Sequence, residues 1–389
     1  MRSVSLPDDV VMDILLRLPV KSLKRFKCLC RSWCSNFQEP DFVGEHYLTN
    51  AVRGANLRTI VKSVSLYDPL LYSSLPASLS RIVINFYLLS NQTMRVEETI
   101  NIPTAVPTSS FPIEDMIGQC EGLILLCGIN YFDPILLLNP ATQELKTLPQ
   151  SSVERPPDTN RVYFTALGLG YDCCTTDCKV VRFAVYSHYP EGYPSDQVEL
   201  YTLSSNSWRP ITNPFGPVVL RQSRFNIYLN GHCHWWLTQM PYEGEKILAF
   251  DMTQETFKAM ELPSCSEFIF HWLEQEPELR VFCNYLAVFA HSRENMDCFE
   301  IWVMKEYGVM ESWTKRLVIG PIAGLGGVRE LLGMWKTGEW FFKTNERRLA
   351  LFNPHTKSIK DLEIHHCPNA RSGLMLSIFT ESLFSLNGR

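Results

Sequence analysis

Four times along the chain, a short apolar run meets an Asn, Asp or Ser turn and then a stretch in which polar and apolar residues alternate. Leu136-Leu137-Leu138-Asn139-Pro140-Ala141-Thr142-Gln143-Glu144-Leu145-Lys146-Thr147-Leu148-Pro149 is one copy, Ile247 to Pro263 a second, and Leu349 to Leu362 a third. Val198 to Trp208 is a degenerate fourth. Alternation around a turn predicts a β-hairpin, with Asn139-Pro140 and Asn353-Pro354 as turn starters. A lone hairpin cannot bury its apolar face. Repeating such sheets radially buries the faces and limits exposed edges, which is the propeller arrangement. Copies at a spacing of roughly 50 residues suit blades of three or four strands, and a body of about 340 residues holds six or seven of them.

Other strand-like runs support a sheet-rich body: Arg81–Leu89, Gly122–Cys127, Ile135–Leu138, Lys179–Tyr186, Val198–Leu203, Ile247–Phe250, Phe299–Met304 and Leu349–Phe352. Aromatic residues make up 12% of the chain, which fits packed sheets better than helical bundles.

Residues 6–48 read differently. Pro7, Asp8 and Asp9 suit a helix entry with an acidic first turn. Val10, Val11, Ile14, Leu15 and Leu18 then recur at helical spacing until Pro19 breaks the run. Val20, Leu23, Phe26 and Lys27 predict a second helix, Trp33 and Phe37 a third, and Pro40 opens a fourth through Phe42, Val43 and His46. A bundle this small cannot enclose so many apolar side chains. Either the segment packs on the rest of the chain, or it docks in a groove on a partner. The fold class expected is therefore α+β: a small all-α amino-terminal unit followed by a large all-β, propeller-like (kelch-like) domain.

The ordered run from Leu6-Pro7-Asp8-Asp9 through Ile14-Leu15-Leu16-Arg17-Leu18-Pro19, Lys21-Ser22-Leu23, Arg25-Phe26 and Ser32-Trp33 resembles an F-box. That resemblance implies docking on a Skp-type adaptor and, through it, on a cullin scaffold. It points to Leu6, Pro7, Ile14, Leu15, Leu18, Pro19, Val20, Leu23, Phe26 and Trp33 as the adaptor surface or its support. The body resembles the plant F-box-associated domain, through Gln119-Cys120-Glu121-Gly122-Leu123, Leu138–Thr142, Gly168-Leu169-Gly170-Tyr171-Asp172, Ser207-Trp208-Arg209, Gly231–Trp236 and Phe299–Gly308. Gly-Leu-Gly at 168–170 departs from that family's usual Gly-Phe-Gly. Within the family, Met304–Val309, Glu311–Lys315 and Glu381-Ser382-Leu383 are similar to the S-locus F-box proteins of pollen. That likeness implies a basic secreted ribonuclease, an S-RNase, as the target marked for degradation; a vegetative relative with another protein or glycan target stays open. The expected organisation is an F-box over 1–49, a poorly marked linking region or first blade over 50–110, and the substrate-binding domain over 111–389.

Candidate sites carry bland alternatives. Cys28, Cys30 and Cys34, like Cys173, Cys174 and Cys178, lack a second ligand pair at zinc-site spacing and read as packing residues, so neither metal nor cofactor is expected. His232-Cys233-His234 places both imidazoles on one side of a strand. Trp235, Trp236, Trp302, Trp313, Trp335 and Trp340 read mostly as blade core. Target contacts are expected on loops, over 66–80, 151–160, 187–196 and 240–245, with Tyr189, Tyr193 and Tyr242 as anchors. No hydrolase elbow or phosphate-binding loop occurs, so a propeller enzyme or small-ligand binder is the remoter alternative. The net charge of −5 argues against nucleic acid. The first 49 residues carry seven Lys/Arg and six Asp/Glu, a balance of +1, which leaves −6 on the rest. An acidic body suits a basic protein partner, although an ordinary soluble surface reads the same way. Asp8, Asp9 and Asp13 interrupt any signal peptide, and polar residues break the longest apolar stretch before membrane-spanning length. The expected location is the cytoplasm, with the nucleus open.

Overall fold

A computed structural model describes residues 6–29, 31–66, 82–100, 102, 115–128, 134–153, 161–187, 195–216, 219–220, 227–238, 245–263, 277–295, 297–322, 324, 326–365 and 373–387. Four helices come first: α1 (Asp8–Leu16), α2 (Val20–Phe26), α3 (Arg31–Asn36) and α4 (Pro40–Arg53). Prolines set their boundaries. Pro7 and Pro19 hold extended backbone directly before α1 and α2, and Pro40 sits in the first turn of α4. Gly54, at φ 57°, ends α4 in the left-handed region, where a glycine has no Cβ to strain. The last helix thus runs past residue 49.

The strands form six sheets around one axis. The first sheet contains β1 (Leu57–Leu66), β2 (Ile82–Leu89) and β3 (Val96–Ile100). The second contains β4 (Asp115–Cys120), β5 (Leu123–Cys127), β6 (Ile135–Asn139) and β7 (Glu144–Thr147). The third has β8 (Arg161–Asp172), β9 (Asp177–Ser187), β10 (Ser195–Thr202) and β11 (Ser207–Ile211). The fourth has β12 (Val219–Leu220), β13 (Ile227–Leu229), β14 (His232–Thr238), β15 (Glu245–Asp251) and β16 (Phe257–Glu261). The fifth has β17 (Glu278–Phe282), β18 (Tyr285–His291), β19 (Phe299–Met304) and β20 (Trp313–Ile319). The sixth has β21 (Val328–Met334), β22 (Trp340–Thr344), β23 (Arg348–Asn353) and β24 (Ser358–His365). The last strand, β25 (Met375–Thr380), returns to the first sheet and pairs antiparallel with β1, Leu57 opposite Thr380 and Val61 opposite Leu376. The ring is a six-bladed propeller closed by its two ends, which removes the open edge a linear array would leave.

Each blade is sandwiched between two others, and this explains the uninterrupted apolar runs. Leu123, Leu125 and Cys127 of β5 face the third blade, while Ile124 and Leu126 face the first. Every side chain of β5 and β6 is buried. A core of this kind fills each of the six gaps between neighbouring blades. Gly168 and Gly170 on β8 make one gap possible. A Cβ at 168 would collide with the Trp235 ring, and one at 170 would stand 2.5 Å from Met252 Cγ. The Gly-x-Gly pair is thus room for the fourth blade's Trp235 and Met252. All six tryptophans singled out above are buried.

The repeated motif is the outer hairpin of four blades. In three copies the turn is held the same way. Asn139 Oδ1 accepts from the amides of Ala141 and Thr142 at 3.0 and 3.1 Å. Asp251 does so for Thr253 and Gln254, and Asn353 for His355 and Thr356. Each copy, the degenerate one included, enters its fourth strand through a residue at positive φ: Gln143, Asn206, Glu255 and Lys357. An Asx turn ending in one left-handed residue is a standard close for a short hairpin loop.

Candidate functional site

The four helices pack as a small unit with a core of their own. Leu15, Leu16, Val20, Leu23, Phe37 and Phe42 are buried together. Phe26, Trp33, Phe37 and Phe42 form a chain of rings with centroids 5.1–6.3 Å apart. Polar groups fix how the helices meet. The Asn50 amide donates to the carbonyls of Leu16 and His46 at 2.9 and 2.7 Å. His46 Nε2 donates to Leu18 O at 2.8 Å, and burial holds its imidazole below the ordinary pKa.

The ten residues expected at the adaptor surface or its support separate into three groups. Leu15, Val20 and Leu23 point into the helical core; Leu18, Phe26 and Trp33 are half-buried at its rim; Leu6, Pro7, Ile14 and Pro19 are exposed. Leu6 is 55% exposed and Ile14 46%. Val10 stands one turn before Ile14, is also exposed, and forms with it an apolar ridge along the outer side of α1, while Leu6 lies just before the helix begins. The ridge is set 100° around the helix from Val11 and Leu15, so it takes no part in the core beneath.

The helical unit is seated on the propeller where the ring closes. Leu383, just after β25, lies in the helical core with Ala141 at its margin. The Val20 amide donates to Glu381 Oε2 at 3.0 Å, and Lys24 Nζ donates to Thr142 O at 2.7 Å. Sequence reasoning noticed Glu381-Ser382-Leu383 as a motif but not as this seat. Contacts more than three hundred residues apart leave no local periodicity to read.

Tyr189, Tyr193 and Tyr242 lie outside the described residues, as do most of the loops in which they fall. The other candidates have local partners. His234 is fully buried: its Nδ1 donates to Ile227 O at 3.1 Å and its Nε2 accepts from the Tyr307 hydroxyl at 2.7 Å. Burial, with the nearby His232 assisting, pulls its pKa down to about 4. Cys178 is buried between blades while Cys173 and Cys174 are exposed. Among the described residues no three His, Cys, Asp or Glu side chains gather to hold a metal ion. No described helix is long and apolar enough to cross a membrane.

One polar cluster joins the third and fourth blades. Lys179 Nζ donates to Asp172 Oδ2, Met252 O and Glu255 Oε1 at 2.8, 2.8 and 3.0 Å, and Arg209 pairs with the other Glu255 oxygen. Burial alone would raise the Asp172 carboxyl. Bonds from Lys179, Thr175, the Cys174 amide and Thr253 overcome it and hold the group well below the usual carboxylate range. The cluster's charges are internally matched, as in a joint between blades.

Comparison with known proteins matches residues 4–43 to the F-box domain and residues 77–370 to the F-box associated beta propeller domain. "F-box protein CPR1" of Arabidopsis thaliana is 25% identical over 95% of this chain and 86% of its own length. "F-box/kelch-repeat protein At3g23880" of the same plant is 29% identical over 81% and 79%. "F-box protein At3g07870", also from that plant, is 28% identical over 94% and 89%. Among solved structures, the NanB sialidase of Streptococcus pneumoniae is 10% identical over 79% of this chain and 73% of that one, with a TM-score of 0.40.

Proposed function

Because the chain belongs to the F-box proteins that carry an F-box associated beta propeller domain, we propose that it is the substrate-recognition subunit of a ubiquitin ligase built on a Skp-type adaptor and a cullin. The observation that carries this reading is the apolar ridge of Val10 and Ile14 on α1, with exposed Leu6 before that helix and exposed Pro19 after it. These residues are exposed although the helices beneath them already have a filled core. Exposed apolar side chains on one helix side suit insertion in a partner's groove. Leu15, Val20 and Leu23 act beneath them as support.

In this reading the subunit performs no chemistry and takes no cofactor or metal. The adaptor grips the helices, the propeller grips a target protein, and the ubiquitin-charged enzyme on the cullin meets target lysines at high effective concentration. The acidic balance of the body favours a basic target. The likeness of Met304–Val309 and Glu381–Leu383 to the pollen S-locus group makes a basic S-RNase the first candidate, with Tyr189, Tyr193 and Tyr242 as contact anchors. The location that fits is the cytoplasm, or the nucleus, where such ligases work.

Co-purification with a Skp-type adaptor tests the assignment. The wild-type chain is expected to hold the adaptor, and Leu18→Asp or Pro19→Ala to lose it. Retention by both variants would contradict the docking surface. The target is tested by pull-down from pollen mixed with style extract, where enrichment of basic ribonucleases is expected and their absence rejects that target.

A further inference from the structure

The chain leaves the ring at Thr380 as the innermost strand of the first blade, and covalent logic leaves a gap there. In the second blade the innermost strand turns straight into its neighbour: β4 passes to β5 through Glu121-Gly122. In the first blade β25 cannot turn into β1, because β1 is reached from the helices 320 residues earlier. Residues 381–387 run on instead, and their contacts go in two directions. Toward the propeller, Asn139 Nδ2 donates to Ser382 O and Phe384 O at 3.1 and 2.8 Å. Glu144 Oε2 accepts from the Leu386 amide and the Ser385 hydroxyl at 2.7 and 3.1 Å, and Leu386 is buried between the second and third blades. Gly122 lies so close beneath that a Cβ there would meet Ser382 Cβ and Thr380 O at 2.6 Å.

Toward the helices, Leu383 is 4% exposed, within the core that holds Leu15, Leu16, Val20 and Leu23. The Glu381 carboxylate accepts from the Val20 amide, the first of α2, which Pro19 leaves without a side-chain cap. Its other oxygen faces Arg58 of β1 at 3.7 Å. The Glu381 amide donates to Asn56 O, in the short link from α4 to β1, at 3.1 Å. One residue therefore ties α2, the link into the propeller and the first blade, and the next two residues fill the seam.

We propose that residues 381–386 are a positioning strap that fixes the helical module on the propeller, with Glu381 as its principal positioning residue. The orientation of a docked adaptor relative to a propeller-bound target is then set at the carboxyl end of the chain. This rests on the ligase reading above. The strap meets the buried side of the helices and not the exposed ridge on α1, so weakening it acts first on how the two binding surfaces sit relative to each other. A link through α4 and residues 54–56 alone is a single covalent hinge. Beside the Lys24–Thr142 bond, the strap adds attachments on α2 and in the helical core, as rigid presentation requires.

The test uses the full chain with spin labels on non-natural residues at exposed Glu45 of α4 and Lys357 of the sixth blade, since 13 cysteines preclude thiol labelling. Wild-type protein is expected to give one narrow distance. Glu381→Ala combined with Leu383→Ala is expected at least to double its width, and Glu381→Gln, which keeps the acceptor for the Val20 amide, to restore most of the narrowness. Adaptor affinity is measured alongside, because Leu383 packs on Leu15, Val20 and Leu23, and a broadened distance that Glu381→Gln narrows again is the result assigned to the strap. In a reconstituted ligase without target, the loosened variant should spread ubiquitin over more of its own lysines than wild type. A distance as narrow as wild type with an unchanged lysine set would overturn the proposal. If the double variant fails to fold, Glu381→Ala alone is read by the same two criteria. If wild type does not bind the adaptor, the ligase reading fails, while the intramolecular distance still decides whether the strap holds the helices.

Discussion

His234 shows what a single side chain does in a propeller seam. Its two ring nitrogens are both used, one donating to Ile227 O and one accepting from Tyr307, which reaches back from the turn after β19. That arrangement requires the neutral ring. The folded pKa of about 4 lies below the unfolded value of 6.5, so the contribution is complete above pH 6.5 and is lost as pH falls toward 4. The linked loss is about 3 kcal/mol for a fully buried ring. Urea unfolding of wild type and His234→Phe should therefore show a stability difference at pH 7.5 that shrinks by about that amount at pH 4; a constant difference would show that the ring titrates alike in the folded and unfolded chain. The helical module obeys the same residue-scale logic. Leu23 is wholly buried, so Leu23→Ala should cost about 2–5 kcal/mol of helix stability. Ile14 faces water, so Ile14→Asp should change stability by no more than about 0.5 kcal/mol.

At the scale of elements, the hairpin turn is one device used with different side chains. Lys357 and Glu255 both occupy the left-handed position before a fourth strand, at φ 56°. Lys357 is exposed, and Lys357→Gly should hold or raise stability by up to about 1 kcal/mol by relieving the backbone. Glu255 carries bonds from Lys179 and Arg209, so Glu255→Gly should lower stability by about 2 kcal/mol despite the same relief. Thermal melts of the two variants check the contrast. The turns were legible because Asx chemistry is local. The eight strand runs noted in the sequence are all second or third strands, several of which are buried along almost their whole length and rich in apolar residues. Outer strands escaped notice: β3 and β7 alternate weakly and stay partly exposed. Inner strands such as β8 carry glycines that propensity scores against but that a neighbour's Trp235 requires.

At the scale of the molecule, closure joins what the sequence holds farthest apart. β1 and β25 register over Leu57–Lys62 and Met375–Thr380, and the gap between the sixth and first blades fills with Val61, Leu89, Trp335 and Leu376. A chain ending before residue 373 should lose cooperative unfolding and bind an apolar dye, whereas a cooperative melt like wild type would show that the ring does not depend on its last strand. Neither this pairing nor the seat of Leu383 among the helices could be read from periodicity, which reports only neighbours. The helical pattern located α1 but ran its exposed residues, Val10 and Ile14, together with Val11, Leu15 and Leu18 of the inner side, because spacing alone does not say which side is covered. The account depends on the exposed side of α1 being built for another polypeptide. Backbone hydrogen exchange of the full chain with and without a Skp-type adaptor tests this directly. Protection confined to the amides of residues 6–33, with the blades unchanged, is the predicted result. Unchanged exchange in the helices, or protection confined to the propeller, would contradict it.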